Sequence, residues 1–83
     1  MVKRLNLPAE VRRGIILDAA VKVAHRDGLH EVNADSVAKE CEIETKRYSV
    51  KQYFPNRNVL WTATVEHDRT DALVEQAKTL GVL

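Results

Sequence analysis

Apolar residues recur along the first third of the chain with the period of an α-helix. Pro8 suits the first turn of such a helix because its φ is fixed and it lacks an N–H, and Gly28 suits the position after its end. The pattern predicts a first helix from about Pro8 to Asp27. Its buried face would contain Ile15, Ile16, Ala19, Ala20, Val23 and Ala24, which lie one, three or four positions apart.

A second, shorter helix is predicted from about Ala34 to Cys41. Asn33 is its expected N-cap, because a side-chain oxygen at this position can accept a hydrogen bond from an N–H group of the first turn. Val37 and Ala38 would then face inward.

A third helix is predicted from about Lys46 to Tyr53, with Thr45 as its N-cap. Val50 and Phe54 lie four positions apart, which is one helical turn, and would anchor this segment to the core. Pro55 ends the helix, because the residue before a proline is disfavoured in the α conformation.

The last third of the chain has two apolar clusters separated by a polar run from Glu66 to Asp71. Asn56 is the expected cap of the first helical segment, and Thr70 could cap a separate fifth helix. The pattern leaves open whether this region forms one long helix or two. No alternating strand pattern occurs, so the predicted fold is all-α, a small bundle of four or five helices. The clusters expected to face inward are Val59, Leu60 and Ala63, and then Leu73, Val74, Ala77 and Leu80.

Composition narrows the class of protein. The 83 residues are 45% hydrophobic and 30% charged, which is typical of one folded domain. Cys41 is a lone cysteine and cannot form an internal disulfide, and no apolar run reaches the roughly 18 residues of a membrane span. The three histidines lack the spacing of a zinc site, and the pair His67 and Asp68 lacks a nucleophile. We therefore expect a cytoplasmic protein without a membrane segment that is not an enzyme and needs no cofactor or metal.

Charge is distributed unevenly, although the net charge is only +1. Residues 45–58 contain four Lys or Arg and no Asp or Glu, whereas residues 31–44 contain five acidic residues and one basic residue. Most other polar side chains of residues 45–58 can hydrogen-bond to phosphates or base edges. The segment is therefore predicted to face nucleic acid. Composition alone equally allows a solvated basic surface.

Three groups of residues occur in order along the chain: Arg13, Ile16, Leu17, Ala19, Ala20, Val23 and Gly28, then Val37 and Ala38, then Tyr53, Phe54, Pro55, Asn56, Arg57 and Leu60. Together they resemble the DNA-binding domain of the tetracycline-repressor (TetR-like) family. The resemblance covers roughly residues 8–62 and implies a helix-turn-helix, with the third helix as the recognition helix. This chain has Glu42 where the family usually has a glycine in the turn, and its spacing from Val37 to Phe54 is two residues longer. We expect the added residues in the turn, around Glu42 to Thr45.

The predicted DNA contacts come from two sources. The resemblance implies that Asn33, Lys51, Tyr53 and Arg57 touch backbone phosphates, although Asn33 also has a plain capping role. The other contacts are predicted from residue type. Side chains at the N-terminal end of the third helix, and one helical turn further along it, are of the types that contact base edges or phosphates. The full predicted set is Asn33, Thr45, Lys46, Arg47, Tyr48, Lys51, Gln52, Tyr53 and Arg57.

The chain is predicted to comprise a flexible basic arm at residues 1–7, a helix-turn-helix domain at residues 8–62 and a helical extension at residues 63–83. The apolar stripe from Leu73 to Leu80 either completes the core of one chain or forms a dimer seam. The dimer is favoured, because helix-turn-helix proteins commonly read two half-sites. Members of the resembled family usually continue into a ligand-binding domain, so we expect no effector pocket within this chain.

The expected partner is double-stranded DNA, bound by a homodimer. The predicted function is that of a transcriptional regulator that represses by occupying its operator. Two alternatives remain open. One is a protein-interaction module that binds another regulator or a polymerase subunit, and the other is a DNA-recognition subunit of a packaging or recombination complex.

Overall fold

The computed structural model describes residues 7–83, which form five α-helices and a short 3₁₀ turn without any β-strand. Helix α1 is Ala9–Asp27, and α2 is Ala34–Glu40. Helix α3 is Arg47–Tyr53, α4 is Arg57–His67, and α5 is Asp71–Thr79. The prediction of a small all-α bundle is confirmed, and the C-terminal region contains two helices rather than one. The predicted basic arm lies outside the described residues except for Leu7.

Helix α1 is the element on which most of the others pack. It contacts α2, α4 and the 3₁₀ turn, while α3 packs on α2. The predicted apolar stripe supplies the contact surface, and Ile16, Ala20 and Val23 are fully buried. Helix α5 contacts α4 and the 3₁₀ turn and completes the bundle.

The connection from α1 to α2 depends on Gly28. This glycine has φ 100° and ψ 150°, a combination that is essentially restricted to glycine. The 3₁₀ turn Leu29–Glu31 follows at once and buries Leu29 completely. The side-chain oxygen of Gln76 accepts a hydrogen bond from the Leu29 N–H at 2.6 Å, which ties α5 to this turn. The predicted stop at Gly28 is confirmed.

The predicted caps are correct in three of four positions. The side chains of Asn33, Asn56 and Thr70 each accept a hydrogen bond from the backbone N–H three residues on. The prediction for Thr45 is wrong, because α3 begins one residue later with Lys46 at its N-cap. The Thr45 hydroxyl instead donates to the carbonyl of Ile43 at 3.1 Å, a local turn that delays the helix.

Two predictions about inward-facing residues are also wrong. Val59 is 39% exposed, because it lies outside the buried face of α4. Leu80 lies beyond the end of α5 and is 38% exposed. The inner members of its stripe, Leu73 and Ala77, are fully buried within the single chain. The buried face of α4 consists of Leu60, Trp61, Thr64 and Val65.

Trp61 is the largest side chain of this core and was absent from the predicted inward set. It is only 6% exposed, and its ring N–H donates to the carbonyl of Val32 at 2.7 Å. That hydrogen bond satisfies a polar group that burial would otherwise penalise. Trp61 therefore joins α4 to the segment between the 3₁₀ turn and α2.

Candidate nucleic-acid interface

Helix α3 separates its polar and apolar residues onto two faces. Val50 is fully buried, and Phe54 immediately after the helix is 2% exposed, so these two side chains hold α3 to the core. The residues at positions one, two, five and six of the helix share the outer face because of its 3.6-residue period. All four are exposed, as the sequence predicted: Arg47, Tyr48, Lys51 and Gln52.

The connection between α2 and α3 spans residues 41–46 and requires no left-handed backbone. No non-glycine residue within the described chain has a positive φ, so Glu42 carries none of the strain expected of a tight turn. Lys46, at the N-cap, is exposed and makes no side-chain cap. Thr45 is half-buried and its hydroxyl is engaged by the Ile43 carbonyl, so of the predicted set it is among the least available for an external contact.

Asn33 is occupied by its capping role. Its side-chain oxygen accepts from the Ser36 N–H at 2.9 Å, and the Ser36 hydroxyl accepts from the Asn33 N–H at 3.0 Å. The side-chain amide of Asn33 also donates to the Glu31 carbonyl at 3.2 Å. These bonds fix the start of α2 and leave one amide hydrogen of Asn33 without a partner among them.

A surface cleft of about 370 Å³ lies where the start of α2, the end of α3 and the start of α4 meet. It brings together three predicted contact residues, Asn33, Lys51 and Arg57, that are far apart in the sequence. The positive end of the α4 dipole also lies here, because α4 begins at Arg57. The lining residues are Asn33, Ala34, Lys51, Phe54, Pro55, Asn56, Arg57 and Leu60.

Two arginines lie over aromatic rings in this region. The guanidinium carbon of Arg57 is 4.9 Å from the centroid of Trp61, and that of Arg13 is 5.2 Å from the centroid of Phe54. Both distances are within the range of a cation–π contact. Arg13 belongs to the family-like motif but was not predicted as a contact residue, and its position over Phe54 depends on the packing of α1 in the folded chain. Tyr53 is half-buried beside Phe54, at a ring separation of 6.4 Å.

We refer to Lys46, Arg47, Lys51 and Arg57 as the cationic surface. Within residues 7–83, Lys46, Lys51 and Arg57 form no salt bridge with a carboxylate. Arg47 lies 3.8 Å from Asp35, which is a loose ion pair. The positive charge of this surface is therefore largely uncompensated.

A second group of charges, Asp18, Lys22, His25, His67 and Asp68, forms what we call the paired surface. The His67 ring nitrogen lies 2.8 Å from an Asp18 oxygen, and His25 lies 2.8 Å from Asp68. Lys22 pairs with Glu42 at 3.3 Å. A cleft of about 470 Å³ lies among these residues and shares no lining residue with the smaller cleft.

The paired surface differs from the cationic surface in how its charges are compensated. Its charged groups already have protein partners, and no cluster of three His, Cys, Asp or Glu suited to a metal occurs in the described part of the chain.

Two groups near the paired surface have shifted pKa values. Hydrogen bonds to Glu40 and then Asp27 raise the pKa of Arg26. Burial raises the pKa of the Cys41 thiol, and the Thr45 side chain opposes this shift only in part. A thiol that stays protonated is a poor nucleophile.

Comparison with protein-family models, curated proteins and solved structures finds no match for this chain. Among the described residues, no helix is both long and apolar enough to cross a membrane. The function is therefore inferred from the residues themselves and from their geometry.

Proposed function

We propose that this protein is a sequence-specific regulator of transcription that binds double-stranded DNA through its cationic surface. The observation that carries the proposal is the outer face of α3, where Arg47, Tyr48, Lys51 and Gln52 are exposed together. This face continues into the cleft that contains Arg57. Uncompensated cations next to hydrogen-bonding side chains are the typical surface of a DNA-binding protein.

The dimensions of α3 suit the major groove. A helix with its side chains is about 10–12 Å across, the major groove is about 12 Å wide, and the seven residues of α3 place about 10 Å of helix in it. In this arrangement Arg47 donates to the O6 and N7 acceptors of guanine, while Gln52 reaches another base edge or a phosphate. Lys51 and Arg57 contact the sugar-phosphate backbone, Arg57 with the help of the α4 dipole. The base contacts would give specificity and the phosphate contacts most of the affinity.

The resemblance to the tetracycline-repressor family supports the same assignment. The order α1, α2, connection, α3 is that of a helix-turn-helix with a supporting helix. We propose repression by operator occupancy in the cytoplasm, with a homodimer that reads two half-sites. Because Leu73 and Ala77 are buried in the core, the C-terminal contact between two copies would use Leu80 and Leu83, which are exposed.

The direct test is selection of bound sequences from random duplex DNA at about 50 and 200 mM salt. With about six phosphate contacts, affinity falls on the order of a thousandfold between these concentrations. Arg47→Ala is expected to change the selected sequence, whereas Arg57→Ala weakens binding to all sequences alike. Absence of both enrichment and salt-sensitive binding would refute DNA binding. Equal effects of the two substitutions would refute the division between base and phosphate contacts.

A protein-interaction module is the second candidate, and the exposed side chains of Val59, Leu80 and Leu83 favour it. Such a module would bind another regulator or a polymerase subunit without selecting any DNA sequence. Light scattering of the isolated protein separates a monomer, a dimer and the larger, ring-like oligomer expected of a subunit of a packaging or recombination complex. A monomer that enriches no sequence would favour this second candidate over the regulator.

A further inference from the structure

An acidic side chain lies next to the cationic surface. Asp35 is the second residue of α2, and its Oδ2 atom is 3.8 Å from the Nη1 atom of Arg47, the first residue of α3. The two side chains are 64% and 62% exposed, so neither is part of the core. An exposed pair of this kind adds little to stability. Asp35 lies beside Arg47, which is predicted to contact a base, so a role in DNA recognition explains its position better than a role in stability.

The distance between the two groups leaves Arg47 available. A charge-assisted hydrogen bond between Arg and a carboxylate is typically about 2.7 to 2.9 Å long. Arg26 and Glu40 form such a bond at 2.7 Å, whereas Arg47 and Asp35 are 3.8 Å apart. Asp35 therefore attracts the Arg47 guanidinium without engaging its N–H donors at hydrogen-bond distance.

Asp35 also opposes contact with phosphates. A carboxylate at a surface that approaches DNA repels the backbone, so it lowers the affinity for every sequence. The flexible Arg47 side chain would otherwise have the phosphates as strong competing acceptors. A neighbouring carboxylate makes positions close to a phosphate less favourable and leaves the guanine edge as the preferred acceptor.

We propose that Asp35 is a positioning residue, which directs Arg47 to a base edge and so sets the sequence preference of the protein. The proposal rests on the proposed DNA-binding function and extends it to a residue of α2. Asp35 acts through Arg47 and not by its own contact with a base.

The experiment compares Asp35→Asn with the wild-type protein, using the sequence selected by the wild type and a scrambled duplex. Asp35→Asn is expected to bind the scrambled duplex more tightly. Its preference for the selected sequence is expected to fall by roughly five- to a hundredfold, the discrimination of one good bidentate base contact. Asp35→Glu keeps the charge and should retain most of the preference.

Asp71→Asn is the matched control, since Asp71 is also an exposed acidic residue in the first turn of a helix, in α5. It makes the same change of net charge away from α3 and should leave the preference unchanged. A loss of preference as large in Asp71→Asn as in Asp35→Asn would overturn the inference, because net charge would then explain it.

The positioning role is tested by combining Asp35→Asn with Arg47→Ala. If Asp35 acts through Arg47, adding Asp35→Asn to the Arg47→Ala variant causes no further loss of preference. A further loss would mean that Asp35 reads a base itself, and it would overturn the positioning role. If the wild type selects a sequence and Asp35→Asn selects it equally well, the inference fails while the proposed function stands. If the wild type selects nothing, both fail.

Discussion

The two ends of α4 differ in how their charges are satisfied. At its N-terminal end, Arg57 lies over the Trp61 ring and beside Lys51 in the smaller cleft, without a carboxylate partner in the described chain. At its C-terminal end, His67 contacts Asp18, and Asp68 contacts His25. The same helix therefore begins at the cationic surface and ends at the paired surface.

This difference separates structural charges from charges available to a partner. The contacts of the paired surface link α1 to the end of α4 and contribute modestly to stability, because exposed ion pairs are weak. The cationic surface has only the loose pair of Arg47 with Asp35, so ion pairs add almost nothing to stability there. Its charge remains available to an external anion. The net charge of +1 reveals neither, because acidic residues elsewhere in the chain, five of them in residues 31–44, offset the cationic surface.

The largest effect is expected from Trp61, which lies between the two ends of α4. Trp61→Ala removes a buried ring and should lower the free energy of unfolding by about 3–5 kcal/mol. A domain of this size has about 4–12 kcal/mol in total, so both surfaces would be weakened together. Urea unfolding measures the change. Trp61→Phe keeps most of the packing but leaves the Val32 carbonyl without its hydrogen-bond donor. It should lower the free energy of unfolding by about 1–3 kcal/mol. Equal costs for the two variants would show that the ring volume is unimportant.

A double substitution at the N-terminal end should affect DNA binding far more than stability. Lys51→Ala with Arg57→Ala removes two predicted phosphate contacts and should reduce the slope of log affinity against log salt by about two. Binding titrations over a salt series measure this slope. The matched control is Lys22→Ala with Arg26→Ala, whose charges are engaged by Glu42 and Glu40. If the control lowers the slope as much, the distinction between the two surfaces is wrong.

The N-cap of α4, Asn56, tests how much the start of this helix contributes to the stability of the protein. Asn56→Ala removes the hydrogen bond from the Val59 N–H to the Asn56 side chain at 3.0 Å. The expected cost is about 0.5–2 kcal/mol of unfolding free energy, measured in urea. Asn58→Ala, inside the helix and exposed, serves as the control and should change stability by no more than about 0.5 kcal/mol. A larger cost at Asn58 than at Asn56 would contradict the assigned cap.

The smallest effect is expected at the paired surface. A double-mutant cycle of Asp18→Asn and His67→Gln should give a coupling of about 0.2–1 kcal/mol, since both side chains are partly exposed. Selection of DNA sequences should be unchanged in both single variants. A change in the selected sequence would show that the paired surface also takes part in recognition.

Much of the secondary structure follows from interactions between close neighbours in the chain. The caps at Asn33, Asn56 and Thr70 each join residues three positions apart, so the residue types alone predicted them. Thr45 was the exception, because its hydroxyl has a competing acceptor two residues back, at Ile43. Periodicity likewise placed Tyr48, Lys51 and Gln52 on the side of α3 away from Val50, whereas Arg47, three positions before Val50, lies at the edge of that face and is exposed in the folded chain.

The contacts that distinguish the two surfaces join residues that are far apart in the chain. Trp61 and Val32 are 29 positions apart, and His67 and Asp18 are 49 apart. The placement of Arg13 on Phe54 and of Arg57 beside Lys51 depends in the same way on how α1, α3 and α4 pack. Helical period and capping act within a few residues and therefore appear in the sequence. Which charges meet a partner depends on the packing of whole helices, so it was settled only when the chain had folded.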